Sequence, residues 1–433
     1  MKKDTKLRFY NAIILTSPDA APFKGELHVR GGEIHYIGES FEKPKEDYDR
    51  EIDCRGNLIM SGFCNAHAHA AMCLFRGIAD DLTLEDWLYD RIFPLEKNLT
   101  PDDVYWGTLL QIAEFVRNGI VCFADMYYFQ DAVYAAAEKV GLMLALCCPY
   151  YSGSGIDVVS EIERNYNLYN TVSDRVRYFP GLHAEYTCDE SLLMKVADFA
   201  AETGAKTYIH LSETLKEVGD CTVRHHGLTP PQYLHKLGFF DNGGLAAHCV
   251  YVDKDDIALL RQCGVTPVIN CGSNLKLASG IAPVASMLRA GLNPALGTDG
   301  TASNNAASFF REMYLYSCLQ KQSLKDSSVV TAEQALEAAT RNGFEALGFS
   351  GGELKIGGYA DFIVLDLASP NMHPISDIRK NLVYSADNSN VMITVVNGKI
   401  VYDRGNFYLG EAPEKIYAEC EKRKRRLVRQ AGF

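Results

Sequence analysis

The sequence predicts an α/β protein whose middle is a (β/α)8 TIM barrel and whose two ends combine into a small β-sandwich. Three observations carry this expectation. Between Leu58 and Gly348, eight apolar strand-like runs alternate with helix-like stretches, the succession that a barrel of about 250 residues requires. Histidines and carboxylates fall at the ends of those runs, where that fold places its active site. Both ends of the chain carry short β-rich segments, a texture that the middle lacks.

The N-terminal part reads as LRFYNAIILT, GELHVRGGEIHYIGE and EIDCRGN, with Gly31-Gly32 marking a hairpin. The first barrel run begins at Leu58-Ile59-Met60 and leads through small residues to His67-Ala68-His69. Such a run, bounded by glycine, reads as one buried strand. The remaining runs are GIVCFADM, LMLALCCPYY, VRYFPGLHAE, KTYIHLSE, GLAAHCVY, VTPVINCGSN and NPALGTDGTA. Between them DDVYWGTLLQIAEFVRNG, DAVYAAAEKVG, SLLMKVADFAAETG and DDIALLRQCG have apolar residues at helical spacing and Gly near the end. The β texture returns in DFIVLDL, VMITVVNGKIVYDRG and NFYLG, where Asn397-Gly398 is a tight-turn pair. The expected limits are therefore residues 1–57 and 351–410 for the sandwich, 58–350 for the barrel and 411–433 for a C-terminal helix. A doubly wound sheet is the alternative, but it wants a glycine-rich phosphate turn after its first strand, and SGSGID at 152–157 lacks the third glycine.

A chain of 433 residues that is 47% hydrophobic can bury a large core. No segment approaches the roughly 18 apolar residues of a membrane span, and Ala12–Leu15 is too short for a signal peptide, so the expected compartment is the cytoplasm. A net charge of −12 argues against nucleic acid as a partner. The one basic run, Lys422–Arg426, reads as the solvated last turn of a helix. Thirteen scattered cysteines, mostly in apolar runs and with no CxxC pair, read as reduced core residues.

Chemistry concentrates at strand ends. Residues i and i+2 of a strand point the same way, so His67 and His69 can converge on one metal ion. A lone His-x-His also fits a pair of loop histidines; what strengthens it is the company downstream. His183 follows the fourth run, His210 and Glu213 the fifth, His248 the sixth and Asp299 the eighth. Each alone has a bland reading, His210 as a core histidine and Asp299 as a turn aspartate. The other histidines, His28, His35, His225, His226, His235 and His373, are expected on surfaces or in loops.

With HAHA at 67–70, HLSET at 210–214, His248, SNLKLASG at 273–280 and GTDGTASNN at 297–305 in hand, the chain resembles the amidohydrolase superfamily from about Leu7 to Gly405. It is most similar to the branch of cyclic-amidine deaminases that act on methylthioadenosine and S-adenosylhomocysteine, with the s-triazine hydrolases as relatives. The resemblance implies that His67, His69, His210 and Asp299 hold one divalent metal ion, zinc by the N/O ligand set, with Fe2+ as the alternative. VRYFPGLHAE has no lysine to bridge a second metal. The implied reaction uses a water whose pKa the metal lowers toward about 7. Asp299 accepts its proton, His248 orients it, and Glu213 protonates the ring nitrogen beside the attacked carbon.

The same resemblance places Trp87, Glu96, His183 and Ser303 as substrate contacts, Glu96 at the ribose hydroxyls. One departure bears on the substrate. Relatives that accept S-adenosylhomocysteine use arginines after strand three to grip its carboxylate, whereas CCPYYSGSGIDVVSEIER offers only Arg164, with Glu161 where an arginine is expected. Tyr150 and Tyr151 suggest a flatter, less ionic pocket, suited to adenosine, a 5′-modified nucleoside such as methylthioadenosine, or a free aminated base. The alternatives are a chloro- or aminohydrolase of s-triazines, a deaminase of guanine, pterin or cytosine-like bases, and, remotely, a non-catalytic assembly barrel, which the retention of all four ligands disfavours. The expected partner is a small heterocycle, neither nucleic acid nor membrane, and a homo-oligomer stays open.

Overall fold

A computed structural model describes residues 5–41 and 46–433 of the chain. The first four residues of the stretch read against a signal peptide, and 42–45 within the expected 1–57 unit, lie outside the described residues. Strands β1 (Lys6–Leu15), β2 (Phe23–Arg30), β3 (Glu33–Gly38), β4 (Arg50–Asp53) and β5 (Leu58–Ser61) come first. Then follow β6 (Phe63–Ala68), β7 (Ile120–Met126), β8 (Met143–Cys147), β9 (Val176–Tyr178), β10 (Gly181–Ala184), β11 (Thr207–Leu211), β12 (Gly244–His248), β13 (Val265–Ile269) and β14 (Ala295–Leu296). The chain returns to strand in β15 (Phe362–Leu365), β16 (Val391–Val396), β17 (Lys399–Asp403) and β18 (Asn406–Phe407), then ends in the helix Pro413–Ala431.

Strands β6 to β9 form one parallel sheet and β10 to β14 another. Every residue of β6, β7, β8, β11 and β12 is buried, which is why these runs are continuously apolar instead of alternating. The fourth run is split between β9 and β10 by Phe179-Pro180, where proline has no N–H to give to a ladder. At the other seam Ala68 bridges Asp299 in parallel, and the Thr298 and Asp299 N–H groups both donate to the His67 carbonyl at 3.0 Å. Helices Pro101–Arg117, Gln130–Val140, Glu190–Thr203 and Lys254–Cys263 occupy the segments whose spacing predicted them.

Both chain ends enter one sheet of nine strands, in the order β18-β17-β16-β15-β5-β1-β2-β3 with β4 on β1, a single hydrogen-bonded path in place of two separately paired sheets. Its own apolar core includes Phe9, Leu27, Ile59, Phe362 and Ile393. The run Leu58–Ser61 belongs here, parallel to β1 and antiparallel to β15, and the first barrel strand starts only at Phe63. Asn397 and Gly398, both at positive φ (49° and 69°), make the turn between β16 and β17.

Two further expectations are corrected. His28 lies not on the surface but 4% exposed inside the sheet, bonded to Glu26 and to the Tyr48 hydroxyl. The basic run of the last helix is not wholly solvated: Arg423 and Arg426 pair with Asp102 and Asp103 on Pro101–Arg117, which ties the C-terminal helix to the barrel wall. No helix among the described residues is long and apolar enough to cross a membrane.

One buried ion pair joins the nine-stranded sheet to the barrel. The Arg175 guanidinium meets Asp361 through two bonds of 2.8 Å and also donates to the Gly141 carbonyl, while Asp361 accepts from the Asn397 N–H at 2.8 Å. Both side chains are nearly fully buried, and removing one partner strands the other charge, at a cost of about 3–5 kcal/mol. Arg175→Met is therefore expected to lower the thermal midpoint by several degrees. A midpoint equal to the wild type in calorimetry would remove the pair from the account of how the two parts hold together.

Candidate active site

The side chains at the ends of β6, β11, β12 and β14 meet in one place. Asp299 Oδ1 lies 3.1 Å from His69 Nε2 and 3.5 Å from His67 Nε2, and His69 Nε2 lies 3.4 Å from His210 Nε2. The ligand atoms of His67, His69 and Asp299 fall within 4.8 Å of one another, as do those of His67, His210 and His248. The two triples share His67.

Each ring is held by its other nitrogen. His69 Nδ1 bonds the Met126 carbonyl at 2.6 Å and His210 Nδ1 the His183 carbonyl at 2.7 Å. A carbonyl only accepts, so both Nδ1 atoms carry the hydrogen, and in the neutral ring each Nε2 presents a lone pair. His67 Nδ1 bonds the Tyr208 hydroxyl at 2.8 Å, whose one hydrogen goes to the Ala66 carbonyl at 2.6 Å, so the same tautomer follows. His67 Nε2 is buried with no hydrogen-bond partner. Three lone pairs converging beside a carboxylate repel one another unless a cation stands among them, which is the donor arrangement that a divalent metal fits.

Titration behaviour agrees. Burial pushes His67 down to about 4 and His210 well down. For His69 burial also opposes charge, but Asp299 prevails and lifts it to about 9. Burial would raise Asp299, yet the His67 and His69 rings beside it hold it well below the usual carboxylate range. The cluster thus calls for positive charge at its centre.

The backbone bends to build this. Ser212, His248, Cys249 and Asp299 all have positive φ, at 51°, 74°, 47° and 61°, a conformation that costs about 1–3 kcal/mol each and gathers at functional sites. A Cβ on Gly297 would sit 2.7 Å from His67 Cβ and 2.4 Å from Asn270 Oδ1, so only glycine lets β14 approach β6 this closely.

A cleft opens over the cluster, lined by His69, His183, His210, Glu213, His248 and Asp299 below and by Trp87, Leu88, Ile92, Phe93 and Glu96 above. The upper wall is the segment Leu84–Glu96, with a π-helical stretch at Trp87–Ile92. The chain leading into it is held at Asp80 by Lys276, which bonds both Asp80 and Asn305 at 2.5 Å, and Lys216 lies 3.3 Å from Glu85 within it. Trp87 Nε1 is buried without a partner, and so is the hydroxyl of Tyr127, which also lines the cleft.

Nine of the ten residues singled out by sequence line the cleft or belong to the cluster beneath it. Ser303 does not reach the cleft: 1% exposed, it donates to Asp299 Oδ2 at 3.0 Å. Ser273 donates to the same oxygen at 2.6 Å. His248 is held through Nδ1 by the Asn274 amide oxygen at 2.7 Å, with Nε2 3.8 Å from Glu213 Oε2. Sequence reasoning did not single out Tyr208, Tyr127, Ser273 or Asn274. The signal for the last two was the SNLKLASG run itself; the tyrosines carried none.

The comparisons with known proteins agree with this geometry. The amidohydrolase family model matches residues 58–401. Over 410 residues the chain is 38% identical to a 5-methylthioadenosine/S-adenosylhomocysteine deaminase of Caldanaerobacter subterraneus subsp. tengcongensis, covering 93% of this chain and 94% of that protein. Over 426 residues it is 41% identical to a 5′-deoxyadenosine deaminase of Methanosarcina mazei, covering 96% and 97%. A solved adenosine deaminase from Xanthomonas campestris with bound zinc superposes with a TM-score of 0.89 at 27% identity, covering 98% of this chain and 99% of that one. These likenesses imply the TIM-barrel fold for the two parallel sheets. The chain belongs to the amidohydrolase family.

Proposed function

We propose that this chain is a metal-dependent hydrolytic deaminase of adenosine-type nucleosides with an uncharged 5′ substituent. The class rests on near-full-length similarity of about 40% to deaminases of such nucleosides. The preference for a neutral 5′ group rests on one observation: none of the described residues lining the cleft is Lys or Arg. Arg164, the one arginine after β8 that sequence offered, is half-exposed and engaged with Glu161 at 3.3 Å and Asp131 at 4.0 Å. The amino-acid carboxylate of S-adenosylhomocysteine would enter without a partner, which costs about 3 kcal/mol, or about 100-fold.

In this reading His67, His69, His210 and Asp299 hold one divalent ion, zinc in first place. When bound, the ion supplies a water activated for attack at neutral pH. Asp299 Oδ1 faces the centre and takes that water's proton, while Ser273 and Ser303 hold Oδ2 still. His248 stands at the side of the centre and orients the water. Glu213, at the cleft floor three residues past His210, delivers a proton to the ring nitrogen next to the attacked carbon, so that no free negative charge builds on the ring. Trp87 walls the nucleoside, His183 contacts it, and Glu96 accepts from the ribose hydroxyls. The catalytic unit in this reading runs from Phe63 to about residue 350, with Leu58–Ser61, the strands before it and 351–410 as its supporting β part and 411–433 as the closing helix. Thirteen free cysteines fit a reducing cytoplasm.

Ammonia release from metal-loaded protein tests the substrate. Across 5′-deoxyadenosine, 5′-methylthioadenosine, adenosine, S-adenosylhomocysteine, guanine and an s-triazine, kcat/KM is expected to be about 100-fold higher for the first two than for S-adenosylhomocysteine. Equal values would overturn the neutral-pocket reading.

Glu96 gives a pH signature. Burial, opposed by the neighbouring Tyr127, pushes it up to about 7, so it is neutral below that pH and a carboxylate above. Ribose hydroxyls donate better to the charged form, so KM falls as pH rises through about 7. Glu96→Gln flattens that dependence; the same slope in the variant would place the titration elsewhere.

A further inference from the structure

The short helix after β13, Cys271–Lys276, and the turn that follows it reach three groups of the site at once. Ser273 donates to Asp299, Asn274 holds His248, and the Ser279 hydroxyl donates to Glu213 Oε1 at 2.9 Å. The turn closes on itself, with the Ser279 N–H bonded to the Asn274 carbonyl at 2.8 Å. Ser279 is 4% exposed and is not among the residues that line the cleft, so whatever it does for the reaction it does through Glu213.

We infer that Ser279 is a positioning residue that selects which oxygen of Glu213 carries the transferable proton, an inference that rests on Glu213 being the proton donor. The backbone at Glu213 is already clamped: its N–H and that of Ser212 each bond one oxygen of the Glu217 carboxylate at 2.7 Å. What stays free is rotation of the Glu213 carboxyl and the choice of oxygen for its hydrogen. A protonated carboxyl has one O–H. A hydroxyl donating to Oε1 occupies that oxygen as an acceptor and leaves the hydrogen to Oε2, the oxygen on the His248 side of the floor. Without Ser279 the hydrogen divides between two oxygens and two rotamers, and only a fraction of encounters presents it to the substrate ring.

Three measurements on the metal-loaded enzyme test this. Ser279→Ala is expected to lower kcat about tenfold, with KM and metal stoichiometry unchanged, and Ser279→Thr, which keeps the hydroxyl, to restore most of it. A stable nucleoside analogue with a tetrahedral carbon and an adjacent ring N–H should bind Ser279→Ala about tenfold more weakly, while the deaminated product binds as before. In a Glu213→Gln background, Ser279→Ala should not weaken analogue binding further. The proposal is overturned by a wild-type kcat in Ser279→Ala, by equal weakening of analogue and product, or by further loss in the Glu213→Gln background. Near-wild-type turnover in Glu213→Gln alone would instead remove the proton-donor reading beneath it.

Discussion

His210→Ala is expected to abolish both metal retention and turnover, whereas His248→Asn is expected to keep the metal and lose most of the rate. The contrast matters because the geometry offers two triples that share His67, one with His69 and Asp299 and one with His210 and His248. His210 Nε2 stands 3.4 Å from His69 Nε2, a spacing that only a shared cation makes favourable, so its loss removes a direct ligand. His248 Nε2 is directed toward Glu213 as well as toward the centre, and Asn274 fixes it by the opposite nitrogen, which suits a group that orders water. Metal analysis after dialysis gives the first readout: near one equivalent in the wild type and His248→Asn, near zero in His210→Ala. Turnover gives the second, with at least a thousandfold loss for His210→Ala on the order expected when an activated water is lost. If His248→Asn also came off the column without metal, the ligand set would pass to His67, His210 and His248, and the water-ordering role would fall vacant.

Much of this site was legible in the sequence because its parts obey short-range rules. His67 and His69 share a face by the two-residue period of a strand, and Asp299, alone readable as a turn aspartate, gained weight from the histidines that close the earlier runs. The barrel was legible because buried parallel strands read as unbroken apolar runs. That same feature hid one boundary: Leu58–Ser61 is buried throughout, so nothing in its composition says whether it pairs with β1 or starts the barrel. Ser273, Asn274 and Ser279 stood inside the SNLKLASG run, but what each one holds was illegible for a different reason. Serine and asparagine are ordinary turn residues, and only the fold shows that these three hydrogen-bond Asp299, His248 and Glu213, from 26 to 66 residues away. Ser303, expected on the metal side of the pocket, has its hydroxyl on Asp299.

Glu213→Gln is expected to lower kcat by about a thousandfold while leaving metal content, fold and KM within a few fold of the wild type. The substitution keeps nearly every contact that positions the side chain. The Ser279 hydroxyl can still donate to the amide oxygen, and the backbone N–H still bonds Glu217. What disappears is a transferable proton. An amide N–H can lie in the same place and give a weak hydrogen bond to the ring, so binding survives, but it does not release its hydrogen to nitrogen at neutral pH. Addition at the amino-bearing carbon then has to leave negative charge on the ring, and the barrier rises by about 4 kcal/mol for a thousandfold loss. A drop confined to kcat separates this from a collapsed pocket, which would raise KM as well. Near-wild-type kcat in Glu213→Gln would mean that the ring is protonated from elsewhere. The protonatable neighbour beside Glu213 is His248, whose burial disfavours charge but whose pKa Glu213 and Asp299 raise. A His248→Asn variant that lost ring protonation with Glu213 intact would then carry the assignment across the floor.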